Sequence, residues 1–213
     1  MANLTDEEKE YYSLNQRVFR KLAPFYDFIA IPISNVRKQV VGFVSAEAGA
    51  RVLDVATGTG KQAVAFARRS YDVIGIDLSD DMLEIARKKN KCTNLKFMHA
   101  NATTLPFESS KFDVSVISFA LHDMPTSIRN QALKEMVRVT RPTGTIVVVD
   151  YGLPRNEICR SLIYNIVKLY EAKTYVDFIK SDLKRLLSEA GVTIQIELSV
   201  VLGIGRVLKG VRA

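Results

Sequence analysis

The chain has 213 residues, 47% of them hydrophobic, which is enough to bury one sizeable core, so we predict a single domain over residues 1–213. Its N-terminus is acidic and it has no apolar run long enough to span a membrane, which predicts a cytoplasmic protein. Its two cysteines lie far apart without metal-ligand neighbours, which predicts neither a disulfide framework nor a metal site. The net charge of +7 is spread along the chain, which argues against a nucleic-acid partner.

The N-terminal region is predicted to be helical. Residues Thr5–Glu8 form a capping-box pattern, and apolar residues then recur at helical spacing as far as Leu22. Pro24 interrupts the pattern, and a second helix is predicted from near Ser34 to about Ser45. Aromatic residues are dense between positions 11 and 28. Residues 1–45 are therefore interpreted as a helical lid over an active site, although the same stripe could face the core or touch a membrane surface.

From residue 51 onward, strands and helices alternate. The predicted strands are 51–55, 72–76, 94–98, 112–117 and 143–149, and the predicted helices are 61–70, 80–90 and 126–138. This alternation predicts an α/β fold with a doubly wound, mostly parallel sheet and helices on both faces.

The C-terminal third departs from this alternation. Helical patterns near 156–172 and 179–190 precede a strand at 192–198, and a last short strand is predicted at 206–211. The connection between these two strands is too short for a parallel crossover, so we expect a C-terminal antiparallel hairpin.

The run Val52–Gly60 combines a buried strand with a tight glycine turn, and Asp77 ends the next apolar run. Glycines let the backbone approach a ligand closely, and a carboxylate at a strand end can accept hydrogen bonds from ribose hydroxyls. The segment Gly58–Ala63 also fits a dinucleotide fingerprint. Asp54, however, would repel a pyrophosphate and attract the amino group or sulfonium of a methionine moiety. The pattern therefore favours S-adenosylmethionine over NAD, the alternative being an ordinary strand-to-helix turn.

Several segments in sequence order resemble the class I S-adenosylmethionine-dependent methyltransferases. They are Asp54–Gly60, Asp77, Asn101–Phe107, Phe112–Phe119 and Arg141–Asp150. The resemblance covers roughly residues 24–213 and implies a Rossmann-like seven-stranded sheet. Within this superfamily the chain looks most like the enzymes that C-methylate quinone precursors in ubiquinone and menaquinone biosynthesis, as Phe25-Tyr26-Asp27 and the Asn-Ala pair before Leu-Pro-Phe indicate.

The resemblance also implies roles for individual residues. Asp77 would take the ribose hydroxyls, Leu78 and Met82 would sandwich adenine, and Asn101 with Ala102 would read its amino edge. The methionine end would be lined by Asp54, Gly58, Thr59 and Gly60, with Ser118 closing the floor. Independently of the resemblance, we expect the acceptor to meet Tyr26, in the aromatic N-terminal segment, and His122, after the fourth strand. Leu78 and Met82 could instead belong to the core, and Asn101 to a turn.

The region expected to meet the acceptor departs from the family pattern. The quinone-precursor group has a Gly-Leu-Arg-Asn-like stretch where this chain has Ala120–Pro125, and a Glu-Phe segment where it has Asp150-Tyr151. These departures leave quinone specificity open.

The histidines of the chain are His99 and His122. His122 follows the carboxyl end of the fourth strand, where ligands bind in open α/β sheets, and Asp123 comes directly after it. It could therefore act as a general base oriented by Asp123, or it could cap the following loop or hydrogen-bond a carbonyl. His99, inside an apolar run, is interpreted as structural.

These features predict an S-adenosylmethionine-dependent methyltransferase that acts on a small aromatic or quinone-like acceptor without a metal. One alternative is an N-methyltransferase of a lipid amine or small amine, which would need less of a base. Another is a non-catalytic S-adenosylmethionine-binding protein. The expected partner is the small-molecule acceptor; peripheral membrane contact and the oligomeric state stay open.

Overall fold

In a computed structural model of the protein, the described residues are 5–6, 8–13, 17–18, 20, 23, 34–44, 46–152, 177–178, 181–200, 203 and 205–213. The helix predicted at 156–172 and the candidate acceptor residue Tyr26 lie outside them, as does about half of the predicted lid. None of the described helices combines the length and the apolar character that a membrane crossing needs.

The described residues form a seven-stranded sheet with the order β3-β2-β1-β4-β5-β7-β6. Its strands are β1 (Arg51–Val55), β2 (Asp72–Asp77), β3 (Leu95–His99), β4 (Phe112–Ser118), β5 (Thr140–Tyr151), β6 (Val192–Val200) and β7 (Gly205–Arg212). Strands β1 to β5 pair in parallel, whereas β7 is antiparallel to both β5 and β6. The predicted parallel sheet with a C-terminal hairpin is confirmed. From β1 the strand order runs outward through β2 to β3, and the chain then returns to place β4 on the other side of β1. A crevice therefore opens at the carboxyl ends of β1 and β4.

Helices cover both faces of this sheet. They are α1 (Ser34–Phe43), α2 (Lys61–Ala67), α3 (Asp80–Lys89), α4 (Thr126–Val139) and α5 (Leu183–Glu189). Successive strand residues point to opposite faces, and the core shows this alternation. Val52 clusters with Phe66 of α2, whereas Leu53 clusters with Ala132 and Met136 of α4. The predicted doubly wound architecture follows from this division of the core.

Some predicted boundaries were wrong by several residues, each for a local reason. Helix α2 ends at Ala67 rather than at residue 70, and Ser70 has a φ of 62°. Strand β5 begins at Thr140, three residues early, because Thr140 already pairs with Phe112 before a shift in register. Helix α5 begins only at Leu183, because the side chain of Asp182 caps it.

The N-terminal capping box is present. The side chain of Thr5 accepts a hydrogen bond from the N–H of Glu8 (3.3 Å), and the Glu8 carboxylate accepts one from the N–H of Thr5 (2.9 Å). Residues 8–13 are helical, and Tyr11 and Tyr12 pack against the core cluster on the α4 face of the sheet. The helical segment 8–13, which precedes α1, therefore packs on the same face of the sheet as α4.

Candidate active site

A tight loop joins β1 to α2 at the crevice. Three residues in this loop have positive φ: Ala56 (53°), Gly58 (55°) and Gly60 (79°). A Cβ on Gly60 would lie 2.4 Å from the ring of Phe97, so the position needs glycine for its packing as well as for its backbone angle. The predicted glycine turn is present, and Gly60 packs against β3.

Asp77, at the end of β2, connects this loop to the start of α3. Its Oδ2 accepts a hydrogen bond from the N–H of Gly58 (2.7 Å), and its Oδ1 accepts one from the N–H of Ser79 (2.9 Å). Burial raises the pKa of Asp77, and the backbone N–H groups of Ser79, Gly58 and Leu78 oppose that rise. A carboxylate has about four acceptor sites, so three backbone N–H groups leave one site for a ribose hydroxyl.

One cleft beside Asp77 brings together the residues predicted to hold adenosine. Its lining includes Gly58, Asp77, Leu78, Met82, Asn101 and Ala102. Tyr11 and Tyr12 line the same cleft, and so does Asp123 after β4. This cleft, which we call the adenosine cleft, therefore extends from the glycine loop to the region expected to meet the acceptor.

Asn101 lies in the adenosine cleft, but its acceptor atom is already engaged. Its Oδ1 accepts hydrogen bonds from the N–H (2.9 Å) and the hydroxyl (3.0 Å) of Thr103, while its Nδ2 donates to the hydroxyl of Tyr12 (3.0 Å). Because both lone pairs of Oδ1 are used, an adenine amino group would have to displace a bond from Thr103. Sequence reasoning missed the Tyr12 contact, which joins residues far apart in the chain.

A second cleft lies on the other side of Gly58, and we call it the methionine cleft. Its lining includes the predicted residues Asp54, Gly58, Thr59 and Ser118, together with Arg37 and Gln62. Burial raises the pKa of Asp54 to about 7, although a 2.5 Å hydrogen bond from the hydroxyl of Thr57 and the charge of Arg37 oppose the rise. A cationic ligand group would favour the ionised carboxylate.

Two buried polar atoms in the methionine cleft have no hydrogen-bond partner within the described part of the chain. They are Ser118 Oγ and Gln62 Oε1. Buried polar groups are nearly always paired, so both atoms are suited to bind a polar ligand. The α-amino group of a methionine moiety could donate to Asp54 and Gln62, and its carboxylate could accept from Ser118. These residues fit the methionine end of S-adenosylmethionine.

His122 lies in a 3₁₀ turn (Leu121–Asp123) beyond the end of β4. Its Nδ1 is 2.8 Å from Oδ1 of Asp150, which is fully buried, and its Nε2 is 3.4 Å from Oδ2 of Asp123. The N–H groups of Leu121, His122 and Tyr151 also donate to Asp150. The prediction that Asp123 orients His122 therefore needs correction, because Asp150 makes the closer contact.

Arg129, a fully buried residue of α4, stabilises this turn by hydrogen bonds to its backbone. Its Nε donates to the carbonyl of Leu121 (3.0 Å), and its Nη2 donates to the carbonyl of Met124 (2.8 Å). The His122 ring packs edge-on against Tyr151, with 4.7 Å between ring centroids. Sequence reasoning missed Arg129. It placed Asp150 in the region that meets the acceptor but missed its contact with His122, because a charged residue among apolar ones does not reveal its partner.

The other histidine has a different environment. His99 lies at the end of β3, where its Nδ1 is 3.0 Å from Oδ1 of Asp80. The side chains of His99 and Asp80 are 46% and 75% exposed, against 11% for His122. His99 is therefore more exposed than His122, and its carboxylate partner is more exposed than Asp150.

Comparison with known proteins indicates which family has this arrangement. A family model described as a methyltransferase domain matches residues 52–144. Demethylmenaquinone methyltransferase from Staphylococcus aureus is 32% identical over 214 residues, which cover 90% of this chain and 88% of that protein. The enzyme of the same name from Renibacterium salmoninarum is 37% identical over 142 residues, or 64% of this chain. In that second match the chain spans 58% of the relative's length.

Solved structures show the same fold. A methyltransferase from Haloferax volcanii, in complex with the Trm112 methyltransferase activator, superposes with a TM-score of 0.75 at 16% identity, covering 92% of this chain and 96% of that one. An S-adenosylmethionine-dependent methyltransferase from Aquifex aeolicus gives a TM-score of 0.66 at 16% identity, covering 83% and 89%.

Proposed function

The chain belongs to the class I S-adenosylmethionine-dependent methyltransferases, and we propose that its acceptor is a small quinone-like aromatic molecule. The observation that carries this proposal is the buried Asp150–His122 pair beside the adenosine cleft. An aromatic hydroxyl or ring carbon loses a proton when it is methylated, so the reaction benefits from a positioned proton acceptor. The names of the sequence relatives support an acceptor of the same class.

The cofactor would lie across the two clefts, with Gly58 between them. Asp77 would hold the ribose, while Leu78, Met82, Asn101 and Ala102 would surround adenine. Asp54, Thr59 and Ser118 would bind the methionine end, and the Gly60 turn would shape the loop. S-adenosylmethionine supplies an activated methyl group, so the protein mainly has to align it with the acceptor. Such alignment can lower the barrier by about 7–11 kcal/mol.

His122 would receive the proton that the acceptor loses. Asp150 holds Nδ1, and this contact leaves Nε2 on the side of Asp123 and the cleft. A carboxylate behind an imidazole fixes the orientation of the ring and stabilises its protonated form. The acceptor, with Tyr26 as a further contact, would then lie between His122 and the methyl group.

The predicted lid, residues 1–45, includes α1, whose Val36 and Val40 are buried in the core. We also propose that the residues before α1 act as a lid on this single domain. Tyr12 bonds to Asn101, and the hydroxyl of Ser127 donates to the Glu8 carboxylate at 2.9 Å. These two contacts connect the helical segment 8–13 to Asn101 of the adenosine cleft and to the first turn of α4. A segment that contacts a cleft through side chains such as these can open for ligand exchange and close for chemistry.

Two probes separate the candidate acceptor chemistries. The full-length enzyme is incubated with methyl-labelled S-adenosylmethionine and either chemically reduced demethylmenaquinone with a short isoprenoid chain or histamine. We expect label in the reduced quinone, and NMR of the product locates the new methyl group on carbon or oxygen. Label in histamine alone would overturn the quinone proposal and support amine methylation.

A further inference from the structure

Asp123 stands between His122 and the adenosine cleft. Asp123 lines the cleft and its side chain is 40% exposed, whereas the His122 side chain is 11% exposed and does not reach the lining. The rings of Tyr151 and Phe178 cover His122 further, with centroids 4.7 and 6.3 Å from its own. An acceptor in the cleft would therefore meet the Asp123 carboxylate before it met the imidazole.

The hydrogen bonds around Asp150 determine which nitrogen of His122 carries a proton. Both oxygens of Asp150 accept backbone N–H groups, and Oδ1 lies 2.8 Å from Nδ1 of His122. A carboxylate surrounded by donors requires that Nδ1 also donate. In the neutral imidazole, Nε2 is then an acceptor and faces Oδ2 of Asp123 at 3.4 Å. Two acceptors thus face each other, and one proton between them would turn this contact into a hydrogen bond.

We propose that Asp123 takes up the proton of the acceptor and shares it with Nε2 of His122. This inference rests on the proposed function, because it assumes an acceptor with a hydroxyl group. The O–H bond of the acceptor breaks, its electron pair stays on the acceptor oxygen, and the proton joins the Asp123 carboxylate. Asp150 stabilises the positive charge that the shared proton brings to the imidazole. The proton later leaves to water from the exposed side of Asp123.

Charged groups on the neighbouring elements are consistent with this role. Burial raises the pKa of Asp123; the His122 imidazole lowers it, and Asp150 raises it again. The cations Arg129 of α4 and Arg206 of β7 act on Asp150 rather than on Asp123. Asp123 therefore accepts a proton more readily than an exposed carboxylate does.

NMR of the protein without substrates tests the link directly. The chain has two histidines, so ¹⁵N-histidine spectra contain two imidazoles, and a His99→Gln variant assigns them. We expect Asp123→Asn to lower the pH midpoint of His122 by about one unit or more, because a neighbouring carboxylate favours the imidazolium. Asp80→Asn is the matched control and should leave the midpoint of His122 unchanged. A shift of His122 below about 0.3 unit in Asp123→Asn would overturn the proposal.

Turnover tests the chemical role, with reduced short-chain demethylmenaquinone as the probe. We expect Asp123→Asn to lose about a hundredfold in turnover, because an amide cannot take up a proton. Asp123→Glu keeps the carboxylate and should retain most activity, which separates chemistry from folding. Parental turnover in Asp123→Asn would exclude the relay. If the parent enzyme leaves the probe unmethylated, the proposed acceptor fails, and the NMR experiment still decides whether Asp123 and His122 share a proton.

Discussion

The proposed cofactor end and the proposed acceptor end of the cleft are held together by different kinds of contact. At the cofactor end, Asp77 binds the backbone N–H groups of Gly58 and Ser79, and the loop shape depends on positive φ angles. At the acceptor end, His122 is held by side chains, chiefly Asp150, while Arg129 secures its turn. A backbone frame survives most side-chain changes around it. A side-chain network loses its function when one member is removed, and this contrast predicts which substitutions affect binding and which affect turnover.

The largest effect is expected for His122→Ala. The loss of the imidazole that takes or shares the proton of the acceptor should lower turnover by about a hundred- to ten-thousandfold, the usual range of general-base catalysis. Calorimetry should show unchanged affinity for S-adenosylmethionine, because His122 lies outside the cofactor frame. His99→Ala is the control and should keep parental turnover. Turnover of His122→Ala within a few-fold of the parent would favour an acceptor that needs no base, such as an amine.

Removal of Asp150 tests how far the acceptor end depends on one side chain. Asp150→Ala leaves the buried N–H groups of Leu121 and His122, the partly buried N–H of Tyr151 and the imidazole of His122 without their acceptor. Breaking a buried pair of this kind should lower the free energy of unfolding by about 3–5 kcal/mol, measured by urea denaturation. Asp80→Ala, at the exposed His99 pair, should change it by about 1 kcal/mol or less. Equal losses of unfolding free energy in the two variants would mean that burial does not distinguish the His122–Asp150 pair from the His99–Asp80 pair. Asp150→Asn is a milder variant if Asp150→Ala does not fold.

Asp77→Ala should affect binding instead of turnover. It removes charge-assisted hydrogen bonds to the ribose worth about 1.5–3 kcal/mol, so affinity for S-adenosylmethionine should fall about ten- to a hundredfold. Asp72→Ala, at the opposite end of β2, is the matched control for calorimetry. NAD should not bind the parent enzyme; binding as tight as that of S-adenosylmethionine would contradict the assignment of the clefts.

Cofactor binding should depend on pH through Asp54. Burial raises the pKa of Asp54 to about 7, so the carboxyl is neutral below this value and no longer attracts the α-amino group. Affinity should therefore fall as pH falls, by about tenfold between pH 8 and pH 6. Asp54→Asn should flatten this dependence. Were the dependence to persist in the variant, another group, such as Asp77, would have to be its source.

The smallest effect is expected at the predicted lid. Tyr12→Phe removes the hydrogen bond with Asn101, which should cost about 0.5–1.5 kcal/mol and weaken S-adenosylmethionine binding a few-fold. Tyr11→Phe offers a control that keeps the same ring in the same cleft. If stopped-flow measurements show that cofactor release is no faster in Tyr12→Phe, this contact does not restrain the lid.

The sheet could be predicted from the sequence because its signal is local. Each strand is a short apolar run, and the length of each connection distinguishes parallel from antiparallel pairing. Boundaries such as the start of β5 at Thr140 were missed, because the pairing with Phe112 extends the strand beyond its apolar part. The cap at Asp182 shortened a helix whose apolar spacing begins earlier.

The sequence by itself determined the cofactor end, since its residues belong to short continuous segments in which the backbone makes the decisive contacts. Gly58, Asp77 and Met82 therefore lie together as expected. Only the tertiary structure decided the acceptor end. Asp150 and His122 come from different strand ends, and no spacing along the chain relates them. Burial between β4, β5 and α4 selects their partners, because a buried carboxylate must find donors wherever the fold brings them.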